Sequence, residues 1–278
     1  MLCLGPAVGR AGAEEACPKA QRLSIDLDAW VAAARRLKTP AEFDKALATL
    51  GLKPAAEDEN GFPCEPRELR KLRVDLFSPT LRDGESGRVV QVLAALCPDS
   101  SEAWQVQRGA AFLPIGKDTW CRVDMPFLDQ SGSGWGPQLC NPTVFAFQNL
   151  TSAQHVAVKV TDTEEWCGTS GSDRGSKTEL SWWEMQGWKF VPLLSITTNQ
   201  AYYHSPTPPI ETLTTKVRLT GVYPKVVELD EKVTCDDPGP EERREDPELR
   251  QAFKACKKRV VHSRCEYENG KYTCLRKK

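Results

Sequence analysis

Through the middle of the chain the apolar positions recur every second residue. Leu72-Arg73-Val74-Asp75-Leu76 alternates cleanly, and the same period runs through residues 88–96, 104–112, 120–127, 144–147 and 156–160. It continues in residues 179–183, 188–194, 214–219 and 223–229. A period of two puts alternate side chains on one face of a sheet, so these segments read as ten short strands. Turn chemistry separates them: Arg82-Asp83-Gly84, glycine-rich stretches at 132–136 and 168–175, and prolines at 206–209. No helical run of ten residues interrupts residues 67–235. The pattern therefore predicts a mainly β protein whose body is an antiparallel β-sandwich or barrel-like domain.

The period changes at both ends. Trp30, Val31, Ala34 and Leu37 recur at helical spacing, with Asp28 as the expected N-cap. Thr39-Pro40-Ala41-Glu42 is a capping box with proline at the first helical position. Phe43, Ala46, Leu47 and Leu50 continue one apolar face, and Gly51 follows as a left-handed stop. Residues 14–66 thus read as a helical hairpin. Residues 236–248 are charged and proline-rich and read as a solvated linker. Residues 249–278 read as a short helix bearing Leu249, Phe253 and Cys256, then a β-hairpin.

That hairpin has a readable register. Asn269-Gly270 is the strongest two-residue hairpin signal, because a type I′ turn needs positive φ at both central positions. Glu268 then faces Lys271, Tyr267 faces Tyr272, and Cys265 faces Cys274. The cysteines fall on a non-hydrogen-bonded pair, where side chains lie closest, so a cross-strand disulfide is expected.

There are 11 cysteines, scattered singly with no Cys-x-x-Cys. Scattered cysteines argue for disulfides and an oxidising compartment rather than zinc. Ala11-Gly12-Ala13 before Glu14-Glu15 resembles a signal-peptidase site. Residues 1–13 therefore read as a truncated signal peptide whose true start lies upstream of Met1. Cleavage there would remove Cys3 and leave an even number. Besides Cys265–Cys274, the expected bridges are Cys235–Cys256 and, by pairing sequence neighbours, Cys17–Cys64, Cys97–Cys121 and Cys140–Cys167. The implied location is secreted, periplasmic or cell-surface.

Composition narrows the partners. The 37 basic residues nearly cancel 38 acidic ones, which gives no electrostatic case for nucleic acid. No apolar run approaches the length of a transmembrane helix. Three histidines, His155, His204 and His262, stand without i, i+3 or i+4 partners, so no metal centre and no cofactor is expected. Asp124, Asp129, Asp162 and Glu164 lack the spacing of a known calcium loop. Ser131-Gly132-Ser133-Gly134 lacks the helix that a nucleophile elbow needs. The glycines from Gly109 to Gly116 are too far apart for a phosphate cradle, and Asp118 follows Lys117 where Ser or Thr is required. Glu164, Glu165, Glu179 and Glu184 are acids near aromatic residues, the raw material of a glycosidase pair, but their separation is not written in the sequence. Asn149-Leu150-Thr151 is a glycosylation sequon.

The strongest functional lead is aromatic. Trp182, Trp183 and Trp188 cluster near Trp166, with Tyr202 and Tyr203 shortly after. Strand neighbours point to opposite faces, so Trp182 and Trp183 cannot share one core. One ring is expected on an outer face unless another element covers it, and an exposed indole is a platform for a sugar ring or a partner surface. The sequence therefore reads as a non-catalytic exported β-protein that binds a protein or glycan. The alternatives are an extracellular hydrolase with an unrecognised acidic site and a structural envelope protein.

Overall fold

The computed structural model describes residues 16–54, 68–96, 105–132, 143–165, 173–204, 211–237, 239–240 and 247–277. Among these the protein is mainly β, and every strand pairing is antiparallel. In chain order the strands are β1 (Arg22–Ser24), β2 (Arg70–Phe77), the small hairpin β3 (Thr80–Arg82) and β4 (Glu85–Ser86), β5 (Arg88–Ala95), β6 (Gln105–Gly116), β7 (Thr119–Asp124) and β8 (Gln130–Gly132). Then follow β9 (Val144–Gln148), β10 (Ala157–Glu165), β11 (Asp173–Gln186), β12 (Lys189–His204), β13 (Glu211–Thr220), β14 (Val226–Cys235), β15 (Arg259–Glu268) and β16 (Lys271–Arg276). The first sheet has the order β1-β7-β6-β5-β2, with β8 also on β6. The second is an eight-stranded meander, β9 through β16 in sequence order.

Two short helices, α1 (Leu27–Ala34) and α2 (Pro40–Thr49), cover one face of the first sheet. Leu27, Val31, Phe43 and Leu47 pack there against Val74, Val90, Val92 and Phe112. Helices this short depend on such docking. The capping box of α2 forms: the Glu42 amide donates to Thr39 Oγ1 at 3.2 Å, and Glu42 Oε2 accepts from the Thr39 amide at 3.1 Å. The cap of α1 needs correcting. Asp26, not Asp28, accepts from the Ala29 amide at 2.9 Å. Asp28 lies in the first turn, where its carboxylate meets Arg88 at 3.2 Å.

The opposite face of the first sheet packs on the second. Val89, Ala111, Leu113 and Val123 meet Val158, Val160, Met185 and Phe190 across this layer, with Leu81 of β3 among them. The second sheet then folds over itself. The other face of β10–β12, presenting Leu180, Trp182, Leu193 and Ile196, is covered by Val227, Leu229, Cys265 and Tyr272 of β14–β16. β10–β12 are therefore apolar on both faces, and this doubled burial absorbs the adjacent tryptophans.

Three disulfides lie among the described residues. Cys265–Cys274 closes the terminal hairpin, with Tyr267 opposite Tyr272 and Glu268 opposite Lys271. Asn269 and Gly270 both have positive φ, 52° and 85°. Cys235–Cys256 ties β14 to the C-terminal helix α3 (Pro247–Ala255). The neighbour-pairing expectation fails for Cys17. It bonds to Cys121 on β7, across a separation of 104 residues, and neither to Cys64 nor in the company of a Cys97–Cys121 bridge. The reason is β1: residues 22–24 form the edge of the first sheet against 119–121, which carries Cys17 to β7. Cys3, Cys64, Cys97, Cys140 and Cys167 lie outside the described residues, as does the signal-like stretch. No helix among the described residues is long and apolar enough to cross a membrane. Disulfides in a β-rich chain fit an oxidising compartment.

Candidate functional site

The three tryptophans do not form one strip. Trp182 is 1% exposed inside the folded second sheet, and its indole N–H donates to Gln148 Oε1 at 3.0 Å. Trp183, on the opposite face, is half-buried between the sheets, 5.3 Å from the Phe127 ring, and donates to Ser181 Oγ at 2.9 Å. Trp188 lies in the β11–β12 turn, half-buried, with the Arg82 guanidinium 4.1 Å from its ring centroid. Tyr202 and Tyr203 pair through their backbones with Gly175 and Arg174. Their side chains, and Trp166, lie outside the described part.

The β3–β4 hairpin brings charge to this region. At its tip Arg82 donates to the Gly187 carbonyl and pairs with Glu85 at 3.5 Å. On the other side of the hairpin Asp83 Oδ1 meets His155 Nδ1 at 2.6 Å, and His155 Nε2 meets Glu184 Oε1 at 2.8 Å. Thr151 also donates its hydroxyl to Glu184. The β9–β10 loop that presents His155 is braced from within, because Asn149 Nδ2 donates to the Ser152 carbonyl at 3.2 Å and the His155 carbonyl at 2.8 Å. Both functional atoms of the sequon thus hold internal partners.

Thr151, His155 and Asp83 stand in the order of a nucleophile–base–orienter chain, but the electrostatics oppose that use. The hydrogen bond to Glu184, with help from Asp83, raises the His155 pKa to about 9 against the cost of burial. Burial alone would push the Glu184 carboxyl up, but the bonds from His155 and Thr151 outweigh it and hold the group below its usual range. Near neutral pH the imidazole is a cation donating from both nitrogens, with no lone pair to accept a proton. The arrangement is a clasp between the β3–β4 hairpin, the β9–β10 loop and β11.

Its pH dependence has a definite sign. A histidine whose folded pKa lies above its unfolded value stabilises fully below about pH 6.5, and loses that contribution as pH rises through about 9. Denaturation midpoints are therefore expected to fall between pH 7 and pH 9.5 in the native protein. His155→Gln should be less stable at pH 6 and show a flatter decline across that range. Parallel declines would show that the clasp contributes nothing.

Next to the clasp lies a cavity of about 370 Å³ lined by Ala16, Cys17, Arg22, Arg82, Glu85, Ile115 and Trp188. Its walls come from three hairpin ends, β3–β4, β6–β7 and β11–β12, together with the start of β1. Rigid sheets thus hold a site built from loop-end residues. Arg22 anchors through Nε and Nη2 to the Cys17 carbonyl at 3.1 and 3.0 Å. Of the aromatic residues singled out from sequence whose side chains are described, Trp188 alone lines this cavity. Arg22, Arg82 and Glu85 carried no signal beyond their residue type.

Among the acids considered from sequence whose side chains are described, no pair assembles; the side chains of Glu164 and Glu165 lie outside the described part. Glu179 pairs with Lys177 at 2.5 Å, Asp124 with Arg122 at 3.1 Å, and Asp129 with Lys53 at 2.6 Å. Asp162 accepts from Thr143 at 3.3 Å. Among the described residues no group of three His, Cys, Asp or Glu side chains could hold a metal ion. No family model, curated protein or solved structure matches the chain.

Proposed function

We propose that this is an exported, disulfide-braced binding protein that holds a glycan in the cavity bounded by Arg22, Arg82, Glu85, Ile115 and Trp188, with no bond made or broken. The observation that carries this reading is the mixture of walls. Residues bearing two guanidinium groups, one carboxylate, an aliphatic side chain and an indole line one space. A few polar groups placed among apolar ones is the pattern of a small-ligand site. A sugar ring presents hydroxyls and a flat C–H face at once, and so matches both kinds of wall. The disulfides and the covered sheets support the rigidity such a site needs. Glu184, held ionised and engaged by His155 and Thr151, is unsuited to the role of a hydrolase's general acid.

A glycan array probed with the full chain and with Trp188→Ala tests the proposal. The native protein should mark a subset of glycans, and Trp188→Ala should lose at least tenfold in signal while remaining folded at the assay temperature. Equal signal from both would move the binding elsewhere. A blank array with capture of a protein partner that Trp188→Ala abolishes would make the ligand a protein.

A further inference from the structure

Resting on that reading, we propose that the cavity selects an acidic sugar: a pyranose bearing a carboxylate, of the uronic-acid class. The charges of the walls argue for an anion. Arg82 and Glu85 pair with each other at 3.5 Å on one hairpin, so Arg22 is the cation of the lining that no lining carboxylate matches. Stacking on Trp188 and the bond to the Gly187 carbonyl fix the plane of the Arg82 guanidinium before any ligand arrives. Its Nη2 is taken by that carbonyl and its Nη1 by Glu85, so direct bonding to a ligand carboxylate falls to the remaining donors of Arg22. Arg22, with two of its five N–H donors on Cys17, stands across the same space.

Glu85 decides between acidic ligands. Its carboxylate, already paired with Arg82, only accepts hydrogen bonds, so any group of an occupant that bonds to it is a donor. A sugar acid brings hydroxyls together with its carboxylate. An aspartate or glutamate side chain of a peptide brings a second acceptor and nothing for Glu85. Ile115, 39% exposed, and the Trp188 ring offer the apolar contact that the C–H face of a pyranose uses.

The test is a titration of the full chain with sodium glucuronate, glucose and acetate at low and high salt. Glucuronate should bind at least tenfold more tightly than either glucose or acetate, the scale of one charge-assisted hydrogen bond. Its affinity should fall with added salt. Arg22→Gln should bring glucuronate down toward glucose. Glu85→Gln gives a sign that misfolding cannot imitate: removing a like charge should tighten glucuronate several-fold and leave glucose unchanged. Glucose binding as tightly as glucuronate would overturn the acidic class while sparing a glycan site. Acetate matching glucuronate would overturn the sugar. Glucuronate weakened by Glu85→Gln would overturn the assignment of the charges. Absence of all three ligands, together with a blank array, would overturn the proposed function as well.

Discussion

Replacing Cys17 and Cys121 together by alanine is expected to lower the free energy of unfolding by about 4–5 kcal/mol. The bridge spans 104 residues, and a cross-link of that reach removes the most freedom from the unfolded chain. The bridges Cys235–Cys256 and Cys265–Cys274 span 21 and 9 residues, for which the same argument gives about 3 kcal/mol each. Guanidinium denaturation of three double-alanine variants should therefore rank Cys17/Cys121 as the costliest. Its cost should include release of β1, whose only strand partner among the described residues is β7. A larger loss from Cys265/Cys274 would show that unfolded-chain entropy does not govern these bridges.

Trp182→Ala is expected to cost about 3–5 kcal/mol, the range for removing a buried tryptophan. The ring is fully enclosed among Leu180, Ile196, Leu229 and Tyr272, and its loss also leaves Gln148 without its donor. Trp183→Ala, on the half-buried face beside Phe127, should cost less. Trp188→Ala, half-buried at the edge of the inter-sheet core, should also cost less than Trp182→Ala and should act on ligand binding. Urea denaturation of the three variants separates these roles. A Trp182→Ala protein within 1 kcal/mol of the native one would mean that β14–β16 do not close over β10–β12.

What was legible in the sequence was local. The terminal hairpin could be registered because Asn269-Gly270 fixes φ at two positions and four facing pairs follow from them. The Thr39–Glu42 box was legible because both its bonds span three residues. Opposite burial of Trp182 and Trp183 followed from the strand period, but what would cover each ring did not. The covers are Phe127 on one side and Leu229 and Tyr272 on the other, and no periodicity links such distant positions. The same holds for Cys17. β1 has three residues, too few to show a period, so nothing announced that it would carry Cys17 to β7. The cavity was least legible of all. Its arginines come from a strand edge and a hairpin tip 60 positions apart, and its indole from a third turn.

The meander has a consequence for how the molecule is made. Each of its eight strands pairs with the next in sequence, so each addition closes only the connection just synthesised, the longest being residues 236–258 between β14 and β15. That half can grow by successive zippering, in order, as the polypeptide lengthens. The other sheet keeps that order through β5, β6 and β7 but not at its edge, since β1 must wait roughly a hundred residues for its mate. The two halves thus meet the problem of nucleation in opposite ways, one by proximity and the other by a late covalent knot.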